Sequence, residues 1–244
     1  DEDHNVYKML ITSIFGGFNM KCYSKEEDLK YMPRLQIHVP LYISGFTGIE
    51  TMEERVFPIV MRNQMTRGGQ SSILRNMILE LRKTKYEKYQ EFKQLMEKEF
   101  DFCFDRIECN EKKDLYIKAT FQKECGTSLV SMDFDNAGDG ELHILQILAA
   151  IYLSCPEQSE VVLIDNPEAY LHPQFQRKLI WVLKKIQKEM RIQVILATHS
   201  QEMIEEAGKD EVIIIDENQQ NQKVEAEKNA ENKIRGEQLS FELQ

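Results

Sequence analysis

Four apolar residues in succession, Val161-Val162-Leu163-Ile164, run into an acid, Asp165, and then into Asn166-Pro167, a turn signal. A strand apolar on both faces is covered on both faces. Sheets of that kind are parallel, and neighbouring strands then need a crossover, usually a helix. A second apolar run, Val194-Ile195-Leu196, leads into Thr198-His199-Ser200, and Gln174 to Met190 between the two has helical spacing. The chain is therefore expected to form strand 161–165, helix 174–190 and strand 192–198, with Asp165 and His199 brought to one edge of the sheet. Ligands of open α/β sheets bind at the carboxyl edge, and an aspartate there holds Mg²⁺, usually through water, against nucleotide phosphates.

A third segment, Asn136-Ala137-Gly138-Asp139-Gly140-Glu141, opens an apolar helix expected over 141–153. Two glycines before a helix let backbone N–H groups come close to an anion, and the helix N-terminus adds partial positive charge.

Upstream, residues 33–48 read as a short apolar strand bounded by proline and glycine. From Ser72 to Phe100 apolar residues recur at three and four, interrupted by a five-residue step from Leu81 to Tyr86. One long helix is expected there, a projecting arm more than a core helix. Leu115 to Phe121 alternates as a half-buried strand does, Leu129 to Phe134 is its hairpin partner, and Val212 to Asp216 is a last strand. The expected boundaries are 1–134 for the helical insertion with flanking strands, 135–216 for the α/β part and 217–244 for a polar tail rich in Gln, Asn, Glu and Lys.

With 244 residues, 42% of them apolar, the chain can bury a full core. A net charge of −10 argues against a uniformly basic nucleic-acid binder, although Arg75, Arg82, Lys83 and Lys85 could form a local DNA-contacting face on the long helix. The cysteines (Cys22, Cys103, Cys109, Cys125 and Cys155) include no C-x-x-C pair, which favours inert thiols over a metal site. No apolar run is long enough to span a bilayer, and Asp1-Glu2-Asp3-His4 lacks the features of a secretion signal, so the expected location is cytoplasmic with no membrane partner.

The stretch Asp165-Asn166-Pro167-Glu168-Ala169-Tyr170-Leu171-His172-Pro173 resembles the Walker B strand and loop of ABC-type ATPases, especially the group with overcoming-lysogenization-defect and SMC-like members, whose pattern reads D-E-P-E-A-H-L-H-P. Residues 136–141 resemble the family's signature motif, Thr198-His199-Ser200 its switch-histidine loop, and 39–81 the insert before the signature. The resemblance covers roughly residues 33–216. It implies an α/β fold, the C-terminal half of an ABC-type (P-loop NTPase) head with a helical arm or lid insertion. It implies ATP and Mg²⁺ as cofactors, with Asp165 at the metal and with Asn166, Glu168 and His199 at the catalytic positions. Asn136, Gly138, Asp139, Gly140 and Glu141 would meet the ATP of a partner subunit, in a homodimer closed by sandwiched nucleotide. DNA and a separate nuclease or toxin effector, in defence against phage, are the partners it implies.

The sequence departs from the family pattern in three places. No G-x-x-x-x-G-K-[ST] occurs in these residues, and neither Gly16-Gly17 nor Gly68-Gly69 is followed by the lysine. Either these residues are the C-terminal part of a longer protein or ATP binding has been lost. The intact signature, Walker B and histidine segments favour the first. Asn166 stands where the family has its catalytic glutamate, and an amide cannot take a proton from attacking water. Hydrolysis is then slow unless Glu168 substitutes, and a scaffold that holds ATP without turning it over is the alternative. Gly138 replaces the signature serine, losing a hydroxyl but keeping the backbone N–H groups.

Overall fold

The computed structural model describes residues 8–14, 17–23, 40–110, 112–125, 128–157 and 159–214. Strands β1 (Lys8–Ile14) and β2 (Gly17–Tyr23) form an antiparallel hairpin. Then come β3 (Leu41–Ile43), α1 (Pro58–Thr66), α2 (Leu74–Thr84) and α3 (Tyr86–Phe100). The strands β4 (Cys103–Glu108), β5 (Lys118–Cys125) and β6 (Ser128–Asp133) make an antiparallel sheet in chain order. The α/β part follows as α4 (Asp139–Ser154), β7 (Val161–Asp165), α5 (Pro173–Met190), β8 (Gln193–Ala197) and α6 (Gln201–Ala207). Contacts divide the chain into two compact units, 1–206 and 207–244. No helix among the described residues is long and apolar enough to cross a membrane.

The expected strand-helix-strand unit is present and parallel. The sheet order is β3-β7-β8, with Val161 opposite Gln193, Asp165 opposite Ala197 and Ile43 opposite Ile164. The two apolar strands differ in cover, however. Val162 and Ile164 of β7 are buried, whereas β8 is the outer strand of this sheet among the described residues and leaves Ile195 49% exposed. An apolar run reports affinity for cover and cannot distinguish a central strand from an edge.

Helix α4 is buried over its whole length from Leu142 to Ser154, so it needs neighbours on every side. That requirement corrects the projecting arm. The chain from 72 to 100 breaks at Lys85 (φ −139°, ψ 61°) into α2 and α3, and the five-residue step is where the apolar stripe loses phase. Both helices lay their stripes on the core: Leu74, Met77, Ile78 and Leu81 from α2, Phe92 and Met96 from α3. The elbow is tied to the last turn of α4, where Lys85 Nζ donates to Leu153 O (2.7 Å) and Lys88 Nζ to Cys155 O (2.8 Å). Cations at the carboxyl end of a helix also oppose its dipole.

The basic face expected on this helix loses Arg75 to the core, while Arg82 and Lys83 stay exposed. Arg75 is 1% exposed and pairs with Asp133 and Asp135, Arg82 donates to Ile107 O, and Lys85 bonds Leu153 O and Glu157. Sequence spacing put these cations on one helix, but the groups that engage three of them, acids for Arg75 and Lys85 and a backbone carbonyl for Arg82, come from other elements.

Some outlying expectations shift. Of the strand expected over 33–48, residues 33–39 lie outside the described residues and only Leu41–Ile43 is strand. The strand read at 115–121 begins at Lys118, and Tyr116 instead bridges Glu54. Val212–Ile214 is not strand and follows a 3-10 turn, Lys209–Glu211, while Asp216 and the tail 217–244 lie outside the described residues. Apolar β-branched residues have strand propensity, but a strand needs a ladder to join.

Between the antiparallel sheet and the helices, Phe102 stacks on Phe121 (centroids 4.9 Å apart) and meets Phe104 and Phe134 edge-on (5.2 and 5.7 Å). Phe102→Ala should cost about 3–5 kcal/mol of unfolding free energy, read by denaturant titration.

Glu53 is buried beneath the start of α2. It accepts from the backbone N–H groups of Arg75 (2.8 Å) and Asn76 (2.6 Å) and from the Asn76 side chain (2.7 Å). Burial pushes its carboxyl from 4.5 up to about 7, against the pull of these donors and of the Arg75 charge. A carboxyl with a raised folded-state pKa favours folding below the unfolded value and loses that contribution as pH rises through the folded one. Between about pH 5 and 8 the wild type should therefore lose up to about 3 kcal/mol relative to Glu53→Gln, measured by parallel urea titrations.

Candidate nucleotide site

The carboxyl ends of the parallel strands gather the residues expected there. Asp165 ends β7, half-buried, and Tyr42 on the neighbouring β3 directs its phenol at it. Burial first, then the Asp165 charge and hydrogen bond, push the Tyr42 hydroxyl above its ordinary pKa. Asn166 follows with φ 49°, and its N–H donates to Ala197 O (2.9 Å), closing the ends of β7 and β8 together. Asparagine enters the left-handed region more readily than glutamate, so the backbone here supplies a conformational reason for the amide.

Glu168 binds the histidine loop. One carboxylate oxygen accepts from Thr198 Oγ1 (2.7 Å) and the other from the His199 N–H (3.0 Å). Burial raises its pKa, but these bonds outweigh that and hold it below the ordinary value. A carboxylate so engaged is a weak base but a firm anchor. His199 is exposed at the sheet edge, its backbone fixed by Glu168, while Ser200 is buried and donates to Gln176 Oε1 (2.5 Å).

The signature-like turn lies on the loop after β7. Asn136, Gly138 and Asp139 are exposed, with Gly138 as N-cap of α4. Its N–H donates to Glu141 Oε2 (2.8 Å), so Glu141 itself satisfies one donor of the turn. The next N–H groups, of Asp139, Gly140 and Glu141, belong to the first turn and have no acceptor within the helix. A Cβ at Gly138 would meet Glu141 at 3.5 Å, an ordinary contact that leaves room for a serine. Gly140 is different. A Cβ there would lie 2.6 Å from Tyr170 O, so this glycine is required by close packing on the 166–171 loop. Tyr170 has φ 63° and is 63% exposed, which makes the loop left-handed at two non-glycine positions.

Sequence reasoning missed two groups. His143, fully buried in α4, donates from Nδ1 to Ala169 O (2.9 Å) and stacks on Phe46 (5.8 Å), while Nε2 is buried with no hydrogen-bond partner among the described residues. Burial lowers its pKa, and through the Nδ1 bond the ring ties the signature helix to the loop after β7. Gln146 donates to Ser44 O (3.0 Å) and accepts from Ser71 Oγ (2.9 Å), joining α4 to the carboxyl end of β3. Polar residues on the apolar side of a helix were the available signal.

The residues present fit Mg²⁺ in part. A single half-buried carboxylate at the sheet edge suits an ion that takes one or two protein carboxylates and completes its shell with phosphates and water. Among the described residues no three His, Cys, Asp or Glu gather into a closed cage.

Gly140→Ala should force the Tyr170 carbonyl away and cost about 1–3 kcal/mol, measured by thermal or urea unfolding, whereas Gly138→Ser should be near neutral.

Residues 126–205 match the family model described as "AAA domain, putative AbiEii toxin, Type IV TA system". Among solved structures, the chain is similar to one from work on ATP-driven dimerization and DNA-stimulated activation of SMC ATPases, at 14% identity and TM-score 0.42, covering 62% of this chain and 97% of that one. It is similar at 16% identity and TM-score 0.38 to the Smc head domain with an extended coiled coil bound to the C-terminal domain of ScpA from Pyrococcus furiosus, covering 61% of this chain and 38% of that one. A third likeness is to the SmcHead bound to the C-winged helix domain of ScpA, at 14% identity and TM-score 0.39, covering 55% and 43%. No curated protein matches the sequence. The family match spans the signature-like turn, β7 and the histidine loop, and it lies in the α/β part of the chain with its parallel sheet.

Proposed function

We propose that this chain supplies the signature and Walker-B half of an ABC-type ATPase head that closes on ATP with a second copy and passes the closure to a partner. The observation that carries the reading is the convergence of Asp165, Asn166 and His199 at the ends of β7 and β8, with Glu168 locking the histidine loop across the two strands. Asp165 would hold Mg²⁺, which would supply charge neutralisation at the nucleotide phosphates. His199 donates to a phosphate oxygen, and Glu168 acts through it as a positioning residue. The first N–H groups of α4, from Asp139 to Glu141, meet the ATP of the other head. The cradle for the β- and γ-phosphates comes from polypeptide other than these 244 residues, because they contain no G-x-x-x-x-G-K-[ST].

Asn166 favours a second reading in which ATP acts as glue. A ligand that binds only the closed form stabilises it by RT ln(1 + [L]/Kd), and without a general base the closed state is long-lived. On either reading the effector is a separate nuclease or toxin, in anti-phage defence, and any DNA is met elsewhere than through Arg75. Location in the cytoplasm belongs to the same proposal.

Phosphate release from the complete protein tests the first reading against the second. Slow turnover in the wild type should rise about 10²-fold or more in Asn166→Glu and vanish in His199→Ala. ATP binding with no turnover in either wild type or Asn166→Glu would leave the scaffold reading.

A further inference from the structure

We propose that Arg75 is a positioning residue for the signature-like turn: from inside the core it holds Asp133 and Asp135, and so fixes the direction of the first N–H groups of α4. The proposal rests on the reading of that turn given above.

An arginine is almost never fully buried unless paired, and Arg75 is 1% exposed. Its Nη2 donates to Asp133 Oδ1 (2.8 Å) and Asp135 Oδ1 (2.5 Å), its Nη1 donates to Glu50 O (2.5 Å), and its Cζ lies 6.0 Å from the Phe134 ring. The segment Asp133-Phe134-Asp135 is thus wound around one guanidinium, with a carboxylate from each end and the ring between. Asp133 also accepts from Asp135 N (3.1 Å), and Ala137 N donates to Phe134 O (3.0 Å), which carries the geometry directly to Gly138, the N-cap of α4.

The anchor does not move with the turn. The Arg75 backbone N–H is held by Glu53, and the far end of α2 is held through Lys85 at the last turn of α4. Helix α2 is therefore a strut fastened at both ends of α4, and the guanidinium is its contact with the turn.

A role confined to fold stability needs only one carboxylate, because the second adds negative charge beside a buried pair. An anion-receiving turn should also bind phosphate better once nearby carboxylates are neutralised. Positioning predicts the opposite. In the complete protein, the double variant Asp133→Asn, Asp135→Asn should weaken Mg·ATP-driven association about tenfold by sedimentation, as expected for losing charge-assisted bonds, although it removes negative charge near the turn. ATP affinity of the single head should stay unchanged. Backbone exchange at 136–141, followed by mass spectrometry without nucleotide, should quicken about tenfold while that of β7 and β8 stays as in the wild type. Arg75→Lys, which keeps the charge but not the fork, should fall between.

Association that is unchanged or tighter, together with unchanged exchange at 136–141, overturns the proposal. A wild type that fails to associate with ATP removes the proposed function, and exchange at 136–141 then decides alone whether Arg75 holds the turn. Should the double variant not fold, Asp135→Asn alone is read in the same way.

Discussion

The burial of α4 on all sides is the constraint from which the rest of the structure follows. A helix apolar all round cannot lie on a surface, so the chain before it folds back as α2 and α3 to enclose it. Two of its buried polar residues find partners inside, and each joins α4 to other elements: His143 to the loop after β7, and Gln146 to β3 and to Ser71 ahead of α2. One rigid element thereby reaches the signature-like turn at its start, the sheet edge along its middle and the α2–α3 elbow at its end. Electrostatics reinforces the packing at both ends, through Arg75 on the acids before the helix and through Lys85 and Lys88 on its last carbonyls.

The site divides between groups set by backbone and groups set by side-chain contact. Asp165 ends β7 and His199 follows β8 by two residues, so the parallel register, with Asp165 opposite Ala197, brings both to one edge. Glu168 is placed by neither strand. It turns back from the loop to hold Thr198 and His199, and so fastens the histidine loop. Asn166 is intelligible on conformational grounds at the same point, since the chain there turns through the left-handed region.

Sequence pattern was most informative where a run was long and its period unambiguous. Strand β7, helix α5, strand β8 and helix α4 all stand within a residue or two of where apolar runs and turn residues placed them. It was least informative where the outcome depended on what lies across the fold. The break at Lys85 shifts the helical spacing by a single residue, too small a signal to separate one arm from a packed pair. The burial of Arg75 depends on Asp133 and Asp135, far away in sequence, and nothing in its own neighbourhood distinguishes it from the exposed Lys83. At the second glycine of the signature-like turn the missing Cβ also makes room for the Tyr170 carbonyl, a contact that spacing along the chain does not reveal.

Strand β8 has a further meaning for how such a chain behaves. Among the described residues it borders β7 alone, and its outward residue Ile195 is half in water. The far side of that strand is a row of backbone donors and acceptors beside an apolar side chain, which is a template for strand addition. The strand that carries the histidine loop is thus also the one that ends this sheet among the described residues.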